Sequence, residues 1–542
     1  MKKSILASSI AAAVFGLGAT GAQAQQFSVP LNAIGDILLV PYYTAQAENA
    51  TLLSITNTDI DNGKAVKVRF RGAANSDDVF DFQVFLSPGD VWTANISKGA
   101  DGRAVLTTSD KSCTKPNALS GTSFLTVRLD PSLTGDALAN GTREGYVEII
   151  TMADIPKGGT TNIVAPVKVN PLYTAVKHVN GVAPCSGTAW EALDTLAQGS
   201  SSAPVDYSAV GLTEPRGGLM GNWTIINTVN SAAWGGQATA LNHELAQAAT
   251  KTITYYSQVN TPVVAPQDLT ADPLFLAGNF VHAWSATTQA LANTSVTTVA
   301  AITAPGLYDL PDLSTPGTNA TVSPTAQVVA IQQALAKTSV IAEFATESAI
   351  AGSTDWVFSM PSRRYAVAMA YSKISASDDG RRFNAEYQGT TDFTGNKAAG
   401  QSPTAAFNGP NTSVINRLIC VSGAKPVAYD REERTATTTV VVSPSVLGKQ
   451  QYCGEVSVFA FNNGSASAAL KASVAVSAVD VTYSSGWATL NTTVTGTDLG
   501  TPSAPTTPSI LGLPLLGGAF MKASNGAQGY GVTQAYRYSN AQ

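Results

Sequence analysis

The chain reads as a mainly β, multi-domain protein built from Ig-like β-sandwich units, with a few short helices. Three observations lead there. Apolar and polar residues alternate with a period of two, Gly, Pro, Asn and Asp punctuate the runs, and only 13% of the 542 residues are charged. Hydrophobic residues make up an ordinary 44%, so the polar surface must come mainly from Thr, Ser, Asn, Gln and Gly. Uncharged faces of this kind repel one another little and suit close lateral contact. A net charge of −5 lacks the basic footprint that recruits phosphates, which argues against a nucleic-acid binder.

Residues 1–24 have the pattern of a secretory signal. Lys2 and Lys3 supply the positive start, Ile5 to Leu17 the apolar stretch, and Ala22-Gln23-Ala24 the small residues for cleavage between Ala24 and Gln25. The expected location is therefore outside the cytoplasm, secreted or on the outer face of the cell envelope. No later stretch reaches about 18 uninterrupted apolar residues, so no transmembrane span is expected after signal removal. The expected organisation is an N-terminal sandwich with a disulfide-bearing extension over 25–200, a β-rich domain with one or two helices over 201–400, a second sandwich over 401–500, and a Pro/Gly-rich linker and tail over 501–542.

Strand signals are plainest early. Leu52 to Thr58 leads into Asp59-Ile60-Asp61-Asn62-Gly63, after which Val66, Val68 and Phe70 alternate with Lys67, Arg69 and Arg71, predicting one buried face and one wet face. Asn62-Gly63 suits a tight hairpin turn. Phe80, Phe82 and Val84 alternate again up to the Ser87-Pro88-Gly89-Asp90 turn, followed by Val91-Trp92-Thr93. Asn222 to Thr228 echoes the segment ending at Thr58, and Val456 to Gly464 does so loosely, which suggests separate sandwiches built on similar rules. Val474, Val476 and Val479 extend the strand pattern. Helices are expected from Ser323-Pro324 through Lys337, and from about Ala238 to Thr250. Thr303 to Thr318, Gly389 to Asn411 and Thr501 to Pro508 read as loops or linkers.

Cys113, Cys185, Cys420 and Cys453 form an even set in an exported chain, so disulfides are expected, with Cys113–Cys185 and Cys420–Cys453 the favoured pairing. Zinc is the weaker alternative, because no two are spaced like a metal knuckle.

Motifs for catalysis are scarce. His243-Glu244 opens like a zinc-protease helix, but Gln247 stands where the second imidazole belongs, and His178 and His282 have no motif around them. Nucleophile-elbow and phosphate-loop patterns are missing. Asn57 to Gly63 faintly resembles a calcium loop, yet its Gly is one place late and Val68 occupies the closing position. Ca2+ is the one cofactor for which ligands suggest themselves, with Asp77, Asp78 and Asp81, or Asp378 and Asp379, as candidate metal residues. Solvated carboxylates at turns are the plainer reading. The cluster Asp430 to Arg434 reads as surface ion pairs, and the seven tryptophans as packing residues with glycan stacking the sharper alternative.

Two segments carry a resemblance. Ala65 to Arg71 with Asp81-Phe82 and Leu86 to Ala94, and later Asp355 to Tyr365, resemble blocks of large secreted cell-surface proteins of Gram-negative bacteria. Such proteins are similar to surface-layer (S-layer) subunits, including those that sheathe tubular extracellular extensions. The resemblance implies a non-enzymatic structural envelope role, with a homo-oligomer or lattice as partner and contact with outer-membrane or cell-surface polysaccharide. An adhesin or glycan-binding protein is the alternative, followed by a secreted hydrolase and then an outer-membrane channel.

Overall fold

The computed structural model describes residues 26–158, 169–196, 206–244, 253, 255, 280–281, 284–285, 290–291, 324–384, 405–409, 411–430, 432, 450–494, 512–526 and 528–540. The signal segment with its Ala24–Gln25 cleavage site, the loop 303–318, most of 389–411 and the stretch 501–508 lie outside the described residues.

The chain opens with β1 (Gln26–Ser28), β2 (Ile37–Thr44), β3 (Asn49–Asn57), β4 (Asn62–Gly72), β5 (Asp78–Leu86) and β6 (Val91–Lys98). There follow β7 (Ala104–Thr107), β8 (Cys113–Lys115), β9 (Thr122–Ser123), α1 (Gly135–Asn140) and β10 (Glu144–Pro156). Helices α2 (Pro171–Val176) and α3 (Thr188–Ala192) lead to β11 (Leu219–Asn227), β12 (Ala232–Gln237) and β13 (Thr239–Glu244). These strands form two sheets, a seven-stranded one in the order β1-β13-β2-β10-β4-β5-β8 and a six-stranded one in the order β12-β11-β3-β6-β7-β9. Their facing surfaces make one core, with Val66, Val68, Phe70 and Phe82 against Leu53, Ile55, Trp92, Trp223 and Ile225.

Several expectations change here. Asn62-Gly63 does not close a hairpin. β3 and β4 lie in different sheets, and Asp59 shapes the crossing by accepting the amides of Asp61 and Asn62. The echo at Asn222 to Thr228 does not mark a separate sandwich, because β11 pairs directly with β3, Leu219 opposite Asn57 and Asn227 opposite Asn49. The first sandwich thus draws strands from beyond residue 200. Over Ala238 to Thr250 the expected helix is a strand as far as Glu244, where β13 slots between β1 and β2, while 245–250 lie outside the described residues. Ladder pairing outweighs the modest helix propensity of that stretch.

Short pieces β14 (Phe280–Val281), β15 (Trp284–Ser285) and β16 (Ala290–Leu291) precede α4 (Pro324–Leu335), which begins where expected and gives way to strand at Ala336. The second half comprises β17 (Ala336–Ala345), β18 (Ser353–Ser359), β19 (Val367–Met369), β20 (Arg381–Asn384), β21 (Thr412–Ile415), β22 (Leu418–Gly423), β23 (Val427–Tyr429) and β24 (Gln450–Cys453). It finishes with β25 (Val456–Phe461), β26 (Val476–Val479), β27 (Ser485–Asn491), β28 (Leu513–Pro514), β29 (Leu516–Asn525), β30 (Gln528–Ala535) and β31 (Arg537–Asn540). Part of the expected tail is therefore strand. β29 lies beside β18 over seven residue pairs, since the alternation Phe520, Lys522, Ser524 against Ala519, Met521 can face two environments.

A second sandwich packs the sheet β23-β27-β17-β28, with β31 also on β17, against the sheet β26-β25-β18-β29-β30. Trp356, Phe358, Phe459 and Phe461 fill the space between them. The β18 sheet has no wet face in its middle, because Val357, Val456, Val458 and Phe520 point the other way into the first sandwich's core. The Phe520 ring lies 6.2 Å from Tyr42 and 5.8 Å from Trp223. Fully burying such a phenylalanine is worth about 1.5–3 kcal/mol. At the margin, β30 is laid over β12: a Cβ at Gly531 would come within 2.3 Å of the Ala233 carbonyl oxygen, so only glycine allows the approach. The Trp234 indole N–H donates to the Met521 carbonyl at 2.8 Å. Two strand edges thereby cover each other.

Both expected disulfides are present, Cys113–Cys185 and Cys420–Cys453, the second joining directly opposed residues of β22 and β24. The first ties β8 to the segment after α2, whose Leu172, Ala175 and Val176 pack with Phe85, Met152, Ile155 and Trp190 on the far side of the seven-stranded sheet. α4 covers another part of that side, with Ile331 and Leu335 against Ile37, Leu39 and Ile150.

Candidate interaction surface

Burial on both sides gives β4 an unusual task. Lys67, Arg69 and Arg71, expected on a wet face, are all buried, as is Lys64, with Lys64 and Arg71 at 0% exposure. Their charges are met locally: Lys64 binds Asp154 at 2.7 Å, Lys67 binds Asp81, and Arg71 lies 3.4 Å from Glu148. Arg364, in the turn after β18, reaches the same Glu148 carboxylate at 3.2 Å. The segments 65–71 and 355–365, picked out separately in the sequence, thus meet at one buried carboxylate. Beside them Arg363 binds Glu455 at 2.7 Å and donates to the Ile419 carbonyl.

Most of the proposed metal ligands are likewise engaged. Asp77 is buried and accepts the Tyr371 hydroxyl at 2.6 Å, which joins the two sandwiches, and burial pushes its carboxyl up to about 7 despite that hydrogen bond. Asp81 holds Lys67, Asp378 holds Arg382 at 2.8 Å, and Asp379 holds Arg381 at 2.8 Å. Asp78 begins β5 opposite Arg71. Among the described residues no group of three or more His, Cys, Asp or Glu side chains could hold a metal ion. In the 430–434 cluster Asp430 is buried and accepts the Glu432 amide, and Arg431, Glu433 and Arg434 lie outside the described residues.

One histidine does meet a serine and an aspartate. His178 Nδ1 lies 3.3 Å from both Ser87 Oγ and Asp90 Oδ2. A nucleophilic triad needs the imidazole to face serine with one nitrogen and aspartate with the other. Here both contacts fall on Nδ1, while Asp90 also accepts the Ser87 amide at 3.0 Å, the signature of a carboxylate shaping its own turn. His243 lies on β13 opposite Phe27, so the helix its metal motif requires is a strand. His282 lies outside the described residues.

The surface that stands out is the outer side of the six-stranded sheet. Its outward positions are Ala50, Leu52, Ser54 and Thr56 on β3, Val91, Thr93, Asn95 and Ser97 on β6, Val105 and Thr107 on β7, and Met220, Asn222, Thr224 and Ile226 on β11. None is charged. Registration turns them into rows, Asn222–Ser54–Thr93 and Thr224–Leu52–Asn95–Thr107. Within the second row Asn95 donates to Thr107 at 3.2 Å. The rows border a shallow cleft of about 600 Å3. Asp110 stands at its rim, where it accepts the Thr93 amide, and Lys98 marks the end of β6. Sequence reading noted the neutral composition but not this face, because outward positions can be collected only when the order β11-β3-β6-β7 is known.

A second exposed feature lies on the β17 sheet. Trp92, Trp190, Trp223, Trp234 and Trp356 are buried, but Trp487 is 38% exposed and stacks on Tyr429 with ring centroids 4.3 Å apart. No helix among the described residues is long and apolar enough to cross a membrane. Comparison of the chain with family models, with curated proteins and with solved structures found no match.

Proposed function

We propose that the protein is a secreted, non-enzymatic structural subunit of the cell surface that self-associates into a surface-layer-like coat or sheath, with the outer face of the six-stranded sheet as a docking surface for a second copy. The charge-free face carries this reading. The outward positions of four neighbouring strands carry only apolar and neutral polar side chains, with Asp110 and Lys98 confined to the margin, so a copy of the same face meets little like-charge repulsion, and Thr, Ser and Asn can exchange hydrogen bonds across the contact. Two features support it. The sandwiches share the doubly buried β18 sheet, which makes a stiff block suited to tiling, and two disulfides fit an oxidising compartment. The mature chain, concentrated stepwise with and without Ca2+ and viewed by negative stain, is expected to form sheets or tubes; particles that stay single at high concentration in both buffers contradict the proposal.

A second reading, glycan binding, draws on the Trp487–Tyr429 pair. Its stacked rings stand beside Glu343, directly opposite Trp487 on β17, and Gln534 donates to that carboxylate at 2.9 Å. An aromatic face with hydrogen-bonding groups alongside is the chemistry that holds a sugar ring. Glycan-array binding lost on Trp487→Ala would favour it.

A further inference from the structure

Where the end of the β18 sheet meets the first sandwich, the two halves leave a cleft of about 540 Å3. Lys522 projects from β29 at its wall, with Asn230, Ser353, Ser524 and Gln528 around it. Gly352, Gly526 and Gly529 also line it. The polar groups facing the space include amide and hydroxyl donors together with an ammonium, and no carboxylate is among the lining residues.

The loop that brings Ala468 to the cleft continues to a second lysine, Lys471. Lys471 adopts a left-handed backbone, φ +57°, between the buried Leu470 and Ala472. Such a conformation is uncommon for a side chain other than Gly, Asn or Asp and persists only when its surroundings impose it. Here they do. Asp355 accepts the Ser467 hydroxyl at 2.6 Å and the amides of Ala469 and Leu470 at 3.0 and 2.8 Å, and Asn49 of the first sandwich donates to the Leu470 carbonyl at 2.7 Å. The carboxylate of this region is thus turned to holding the loop. Partial burial, and then the positive charge of Lys471, hold the Lys522 ammonium below its usual range. The cleft thus offers Lys522 with no carboxylate among its lining residues, and Lys471 follows on the loop that carries Ala468, an arrangement suited to a bound anion.

We propose that this junctional cleft binds an oxyanion, a phosphate ester or carboxylate carried on a sugar, with Lys522 and Lys471 as its charged ligands. Lys522 meets the anion inside the cleft, Lys471 from the loop beside it, and the Ser353, Ser524 and Asn230 side chains offer hydrogen bonds to it or to sugar hydroxyls. A cleft of this size admits a sugar residue as well as its charged group. The site uses neither the neutral docking face nor the Trp487 pair, so its outcome is independent of the proposed assembly.

The test is calorimetric titration of the full mature chain at low salt with glucose 6-phosphate, glucuronate, inorganic phosphate and neutral glucose. At least one charged sugar is expected to bind while glucose does not. Preference for glucose 6-phosphate or for glucuronate identifies a phosphorylated or a carboxylated saccharide, and equal binding of free phosphate shows that the anion alone is recognised. Lys522→Gln should weaken binding about tenfold or more, as loss of a charge-assisted bond implies. Lys471→Gln should weaken it less, with no loss of thermal stability in either variant. Ser524→Asp places a carboxylate in the cleft and should abolish binding, which keeps the test decisive if a lysine variant folds poorly. Absence of binding by every charged probe, or unchanged affinity in Lys522→Gln and Ser524→Asp, overturns the proposal.

Discussion

The two sheets of the first sandwich invert the usual placement of charge. The seven-stranded sheet buries Lys67, Arg69, Arg71 and Glu148 on its far side, whereas the six-stranded sheet exposes a far side whose strand positions carry no charge. Charged residues almost never lie buried unless paired, and here one such pairing, Arg364 with Glu148, crosses between the halves. The contrast teaches that the buried charges of this sheet serve internal registration. Removing two charges from water gives little net stability, but losing one partner leaves the other stranded.

The largest expected effect follows from that asymmetry. Glu148→Ala leaves Arg71 and Arg364 buried without their shared carboxylate and should lower unfolding stability by about 3–5 kcal/mol, measured by chemical denaturation. If the sandwiches form one unit through this contact, fluorescence and circular dichroism should shift together. A small effect, or loss confined to one probe, would break the comparison by showing that the buried charges do not couple the halves.

The next effect is steric. Gly531→Val drives a side chain into the Ala233 backbone where β30 covers β12, and should cost at least about 1–3 kcal/mol, read as a lower Tm. Exposing those edges should also promote non-specific aggregation, distinguishable from ordered assembly by its morphology.

A third effect concerns pH. Asp77 is buried between the halves, with its carboxyl raised from 3.8 to about 7 chiefly by burial. Between those values the folded protein holds a proton that the unfolded chain has released, so rising pH works against folding, and this contribution levels off above about 7. Thermal unfolding from pH 4 to 8 should show wild type losing stability relative to Asp77→Asn across that window. Parallel profiles would show that Asp77 does not titrate there.

How much of this was legible in the sequence follows from what alternation can encode. β5 was readable because apolar residues recur with period two, the strand at Val456 to Phe461 through its loose echo of an earlier segment, and α4 because Pro324 opens a run of helix formers. The cysteines paired as expected, since each pair closes a loop within one half of the chain. Period two states that a strand has two unlike faces; it does not state that one of them meets water. Lys67, Arg69 and Arg71 therefore looked wet, because Glu148 and Arg364 are distant in sequence. Likewise Asn62-Gly63 has hairpin chemistry, but whether a turn joins neighbours or crosses between sheets depends on partners elsewhere. Of the candidate surfaces, composition foretold neutrality, while the rows Asn222–Ser54–Thr93 arise only from pairing.

The smallest effect on stability should come with the largest effect on assembly. Thr93→Lys combined with Thr224→Lys places two positive charges on the neutral face at exposed or half-exposed positions, where substitution usually changes stability by no more than about 0.5 kcal/mol. Sedimentation velocity of wild type and this double variant over a concentration series is the most direct test. The account predicts concentration-dependent association of wild type and a variant of equal Tm that remains a monomer. Equal association of the two, or a wild type that never leaves the monomer, would contradict it.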